Sequence, residues 1–144
     1  MTIPIPICLL GTDLVHLTRL RHAWHGFGLR FFERVLTPDE LRYCLQGENP
    51  EAGRMNDRFF QRVGARIAVK EAVGKALGVG MNGLGWGQGL PWRSVETVSE
   101  AQQMPVLKLT GPAHRMAGEQ GARLWRVSLS HDGDYAMASV VGLG

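Results

Sequence analysis

Five charged residues crowd one stretch of this chain: Arg62, Arg66, Lys70, Glu71 and Lys75. The segment Arg66-Ile-Ala-Val-Lys-Glu-Ala-Val-Gly-Lys-Ala-Leu-Gly78 reads as a helix. On a helix Arg62, Arg66 and Lys70 recur at i, i+4, which stacks like charges along one side at a cost of roughly a few tenths of a kcal/mol per pair. Glu71 and Lys75 share that spacing on a neighbouring strip. Alone they make the ion pair common on helix surfaces. A carboxylate among several cations also suits a site that holds a metal ion and an anion together, such as magnesium and phosphates. Asp13 is a second candidate carboxylate, from a distant segment. Taken alone it is an N-cap, and spacing does not establish that it meets Glu71.

Other groups have simpler readings. Ser130-His131-Asp132 is not a relay triad, because neighbouring strand residues point to opposite faces; His131 is either a ligand contact or an ordinary polar residue at a strand end. His16, His22 and His25 lack a partner at zinc-ligand spacing and read as exposed or capping histidines. Gly78-x-Gly80-x-x-Gly83 matches the dinucleotide fingerprint in letters, but it follows a helix where the fingerprint needs a strand, so it reads either as a helix stop or as backbone that closely approaches a bound phosphate or adenine.

The elements that position these residues follow from pattern. Residues 3–10 are apolar and read as a buried strand ended by Gly11-Thr12-Asp13, with Asp13 capping a short helix to about Arg21 or Ala23. Thr37-Pro38-Asp39-Glu40 is a capping box that opens a helix over roughly 38–46. A loop spans 48–57, and the main helix runs from about Asp57 to Leu77 with Phe60, Val63, Ile67 and Leu77 on its apolar positions. The glycine-rich stretch 78–89 is a loop. Strands near 94–98 and 106–109, a helix near 112–120 and a closing pair of strands near 123–131 and 135–141 complete the chain. Strands and helices without βαβ alternation imply an α+β fold.

Composition narrows the classes. The chain has 144 residues, 44% of them apolar, enough for one core and a single domain over 1–144. No apolar run is long enough for a transmembrane helix, and the N-terminus lacks a basic signal-peptide start, so no membrane role is expected. Cys8 and Cys44 read as free thiols in a reducing cytoplasm. A net charge of +3 favours an acidic partner. No basic stripe interleaved with aromatics argues for nucleic acid.

Four segments, in order, resemble the holo-acyl-carrier-protein synthases, the short class of 4′-phosphopantetheinyl transferases. Gly11-Thr-Asp-Leu-Val-His-Leu-Thr-Arg19 is similar to the family's Gly-x-Asp opening with its later arginine. Arg30-Phe-Phe-Glu-Arg-Val-Leu-Thr-Pro-Asp-Glu-Leu41 resembles its Arg-Phe-x-x-Arg segment followed by Thr-x-x-Glu-Leu. Arg66–Gly78 contains the signature Lys-Glu-Ala-x-x-Lys-Ala. Val127-Ser-Leu-Ser-His131 with Tyr135-Ala-Met-Ala138 is similar to the closing strands.

The resemblance implies transfer of the phosphopantetheine arm of coenzyme A to a serine of apo-acyl carrier protein, with release of adenosine 3′,5′-bisphosphate. It implies a long central helix packed on a mainly antiparallel sheet. Asp13 and Glu71 match the family's magnesium ligands, and Lys75 matches the lysine expected at the phosphates. Arg66, Lys70 and His131 carry over as coenzyme A contacts. Arg19, Arg21 and Arg30 would form the basic surface that receives the carrier. Whether Glu71 or a water takes the serine proton stays open. Larger transferases of the superfamily contain two similar halves around the site, and this chain matches one half. The implied assembly is therefore a homotrimer with sites at subunit interfaces, where Asp13 and Glu71 face His131 or glycine-loop residues of a neighbour. His16 departs from the family, standing where an acidic residue is common, and the Gly80–Gly89 loop with Trp86 is unusually rich in glycine. Alternative readings are a non-catalytic module that binds coenzyme A or a carrier, and a transferase dedicated to a polyketide or peptide synthase carrier.

Overall fold

The computed structural model describes residues 6, 8–82, 89–100 and 102–144. Its strands are β1 (Cys8–His16), β2 (Val95–Val98), β3 (Val106–Leu109), β4 (Leu124–Asp132) and β5 (Tyr135–Leu143). Its helices are α1 (Leu17–Phe27), α2 (Leu29–Val35), α3 (Pro38–Cys44), α4 (Asp57–Ala76) and α5 (Gly111–Glu119), with short 3-10 turns at Pro50–Ala52 and Trp92–Ser94. The α+β expectation holds. No helix among the described residues is long and apolar enough to cross a membrane.

β1, β5 and β4 form an antiparallel sheet in that order, in a register that aligns Asp13 with Ala138 and Ala138 with Leu129. β2 and β3 make a separate antiparallel ribbon. α4 packs across β1 and β5. Its other side is covered by α1, α3 and β2. Being covered on both sides is why Phe59, Val63, Ala68, Val69, Ala72 and Val73 are all buried along it. Phe32 of α2 and Phe59 of α4 meet edge-to-face at 5.2 Å, and Trp24 of α1 closes on both. Such pairs add roughly 0.5–1.5 kcal/mol each beyond area burial.

The Thr37 box forms as expected: the Thr37 hydroxyl accepts from Glu40 N–H at 3.2 Å, and Glu40 Oε1 accepts from Thr37 N–H at 2.9 Å. The start of the chain differs from expectation. Gly11-Thr12-Asp13 does not end a strand; β1 runs through it to His16. Nine consecutive pairings with β5 outweigh a local turn preference. Asp13 therefore caps nothing. His16 caps α1 instead, its Nδ1 accepting from Thr18 N–H at 3.2 Å. α2 was not expected either, and Gly28, with φ 60°, separates it from α1. The glycine loop lies partly outside the described residues, since 83–88 and Trp86 within them are not described.

Gly11 sets how closely β1 approaches α4. A Cβ there would drive into the backbone carbonyl oxygen of Ala72, which cannot rotate away. Gly64 does the same where α4 passes over Leu17 and Ala136. Gly11→Ala is expected to cost about 1–3 kcal/mol of stability, the usual penalty for overpacking. It would also push β1 away from the helix that carries Glu71. Chemical denaturation of the variant measures this, and wild-type stability would contradict the close approach.

Candidate active site

Asp13 leaves the α4-facing side of β1 and is 8% exposed. Its Oδ1 accepts from Lys75 Nζ at 2.7 Å, so Lys75 reaches across to the sheet and does not pair with Glu71 along its own helix. The buried Oδ2 has no hydrogen-bond partner. Glu71, one turn before Lys75, is partly buried beside Asp13. Burial above all, then proton-sharing with Asp13 and its negative charge, pushes the Glu71 carboxyl up to about 7, against the opposing charges of Arg19 and Lys75. As carboxylates both are acceptors, and among the described residues the one donor beside them, Lys75, serves only Asp13 Oδ1.

That arrangement fits a hard divalent cation. It presents an orphaned buried oxygen and a crowded second carboxylate, which a positive ion between them would relieve. No group of three or more His, Cys, Asp and Glu forms a metal cluster among the described residues. The remaining ligand positions would fall to water and substrate oxygens, as magnesium prefers. His16 caps α1 and meets the Tyr135 ring edge-to-face with ring centres 4.7 Å apart, so it does not replace a missing acid.

A second cluster lies on the opposite flank of α4. Arg62 and Glu71 are nine residues apart, about 180° around a helix. There Arg58, Arg62, Arg66 and His131 line a cavity of about 440 Å³ that has no acidic residue in its wall. Arg66 also lines a larger cavity of about 720 Å³ with Gln46, Ser99, Glu100, Gln103 and Ser128. His131 is exposed at the end of β4, two strands away from β1.

Two expected residues lie elsewhere. Lys70 is not free to meet a phosphate: it is fully buried and donates to Glu40 Oε1 at 2.7 Å, to the Trp92 carbonyl at 3.0 Å and to the Val95 carbonyl. All three ammonium hydrogens are used. Nor do Arg62, Arg66 and Lys70 form an exposed ladder, since Arg66 is 3% exposed and each cation has its own partners. Arg21 is held between Asp57 at 3.1 Å and Asp134 at 3.2 Å, over the Phe60 ring. Arg19 stays exposed, close enough for its charge to act on Glu71. Arg30 is exposed and, with Phe27, Phe31 and Arg34, lines a groove of about 490 Å³. Phe27 was not anticipated, because an exposed phenylalanine has no signature in sequence.

The family model of the 4′-phosphopantetheinyl transferase superfamily matches residues 9–140. The chain belongs to that superfamily. A holo-[acyl-carrier-protein] synthase of Herpetosiphon aurantiacus is 41% identical over 135 residues, covering 93% of this chain and 97% of that protein. The crystal structure of the synthase from Neisseria meningitidis superposes with a TM-score of 0.68 at 31% identity, over 93% of this chain and 96% of that one. The Helicobacter pylori synthase, crystallised in complex with coenzyme A, shares the fold at a TM-score of 0.71 and 24% identity, over 93% and 99% of the two chains. Both flanks of α4, with Asp13, Glu71 and Lys75 on one and Arg66 and His131 on the other, fall inside the region matched to the superfamily.

Proposed function

We propose that this single-domain chain transfers the 4′-phosphopantetheine group of coenzyme A to a serine of apo-acyl carrier protein and releases adenosine 3′,5′-bisphosphate, acting in the cytoplasm. The observation that carries the reading is the meeting of Asp13, Glu71 and Lys75, with a buried Asp13 oxygen left without a partner. Asp13 and Glu71 would hold a magnesium ion, which when bound offsets the charge of the pyrophosphate and of the departing nucleotide. Lys75 is the exposed cation beside them and is free to turn from Asp13 to a phosphate oxygen. The carrier serine gives up its proton to water, its oxygen forms the new bond to phosphorus, the pyrophosphate P–O bond breaks, and the nucleotide leaves with the electron pair. The chain's own work is to bind and orient, so it needs no internal nucleophile.

The clusters on opposite flanks of α4 favour a site shared between neighbouring copies, one offering Asp13 and Glu71 and the next Arg66 and His131. The sheet face away from α4 supports self-association, because Leu10, Leu14, Leu124 and Met137 are exposed on it. The proposed assembly is the homotrimer that the family resemblance implies. The carrier, an acidic protein, would dock where Phe27 stands among Arg30 and Arg34, with the exposed Arg19 adding positive charge near Glu71. The deciding experiment incubates the protein with coenzyme A, magnesium and apo-carrier protein and weighs the carrier. A gain of one phosphopantetheine group is expected; no gain across several carriers would sink the reading.

A further inference from the structure

Arg66 is a buried cation without a counter-charge. It is 3% exposed, and among the described residues no carboxylate forms an ion pair with it. Its Nη1 donates to the Arg62 carbonyl at 3.1 Å and its Nη2 to Ser99 Oγ at 2.8 Å, while the buried Nε donates to nothing. An arginine stays charged in a protein, and a buried charge left unpaired is costly. Of the two cavities it lines, the larger has Glu100 in its wall, whereas the one shared with Arg58, Arg62 and His131 has no acid, so an arriving anion would complete the guanidinium from that side.

What holds the guanidinium ready is the Tyr43 ring, whose centre lies 4.2 Å from it. The same ring carries the Arg62 guanidinium at 5.2 Å, so one aromatic face system steadies two cations that repel each other. Arg62 in turn donates to the Gln46 carbonyl at 3.1 Å, which fixes the end of α3 that bears Tyr43. Ser99, just beyond β2, closes the clamp from the other side. Neither Tyr43 nor Ser99 belongs to any of the segments that carry the family resemblance.

We propose that Tyr43 and Ser99 are positioning residues that fix the Arg66 guanidinium to receive a phosphate group of coenzyme A. The inference deepens the transferase reading and rests on it. Fixing the fork in advance lowers the entropy lost when the phosphate binds, so the effect belongs in coenzyme A affinity and not in the chemical step.

Steady-state kinetics and calorimetric binding with Tyr43→Leu, Tyr43→Phe and Ser99→Ala test it, using coenzyme A and 3′-dephospho-coenzyme A. Tyr43→Leu is expected to raise the KM for coenzyme A about tenfold, with kcat and the KM for carrier unchanged. Tyr43→Phe keeps the ring and should behave as wild type. Ser99→Ala should raise the same KM about threefold, and it keeps the question open if Tyr43→Leu does not fold. An effect that vanishes with 3′-dephospho-coenzyme A identifies the ribose phosphate as the partner, and one that persists identifies the pyrophosphate. Either supports the clamp. An unchanged KM in a folded Tyr43→Leu or Ser99→Ala variant would overturn it. So would a parallel fall in kcat, both KM values and melting temperature, or weakened self-association at unchanged KM, which would make a neighbour's carboxylate the partner. If the wild type transfers nothing, the transferase reading fails, while calorimetry still decides whether Tyr43 and Ser99 govern coenzyme A binding.

Discussion

Glu71→Ala is expected to slow phosphopantetheine transfer about a thousandfold or more, and Asp13→Ala to do the same, with fold and assembly intact. Removing a ligand of the proposed ion forfeits several kcal/mol of charge stabilisation where the pyrophosphate breaks, and each 1.36 kcal/mol is about tenfold in rate. Stability should move the other way or not at all. Folding holds two acids together here with one buried oxygen unpartnered and the Glu71 carboxyl pushed up chiefly by burial. Truncating either acid relieves that crowding, and the Lys75 bond lost with Asp13 has its lysine end in solvent, which limits what it contributes. Melting temperatures without divalent ions should equal or exceed wild type, the pattern of a site that trades stability for function. Calorimetric titration with magnesium should lose its heat in both variants. Full transfer activity in either would show that the pair is not the metal site.

Lys70→Met should give the opposite pattern. The Lys70–Glu40 pair is fully buried on both sides. Glu40 also accepts from Thr37 N–H and from Thr97 N–H at 3.1 Å, so one carboxylate joins α3, α4 and β2. Removing the lysine leaves that carboxylate charged and short of its main donor, a change that costs about 3–5 kcal/mol. For a chain of this size the melting temperature should fall by roughly 10 °C. Lys75→Met, at an exposed position, should keep the melting temperature and lose activity. A Lys70→Met protein as stable as wild type but unable to bind coenzyme A would restore Lys70 to the substrate site.

The contrast between these lysines marks the limit of what spacing conveys. Lys70 and Lys75 lie on one helix, in one signature, and both read as coenzyme A contacts, Lys75 at its phosphates. Helical periodicity gives the angle of a side chain but not what covers it. Lys70 is buried because α3 brings Glu40 against it, and Lys75 is open because it meets the edge of β1. Asp13 was misplaced as a cap for a related reason: turn chemistry is local, whereas the β5 ladder that keeps it in a strand lies over a hundred residues away. Tyr43 and Ser99 left no trace at all, since their contact with Arg66 joins three elements distant in sequence.

By itself the sequence determined the type of most elements after Leu36, the Thr37–Glu40 capping box, the bounds of α4 to within a residue, the closing strand pair and, through its motifs, the superfamily. These rest on short-range rules of period, capping and residue order, which act within a few residues. Only the tertiary structure decided which of the clustered charges are exposed, which two carboxylates meet, and that the cationic flank of α4 faces away from them. Those outcomes depend on burial and on partners from other elements, and the energy of a charge is set by its surroundings far more than by its place in the chain.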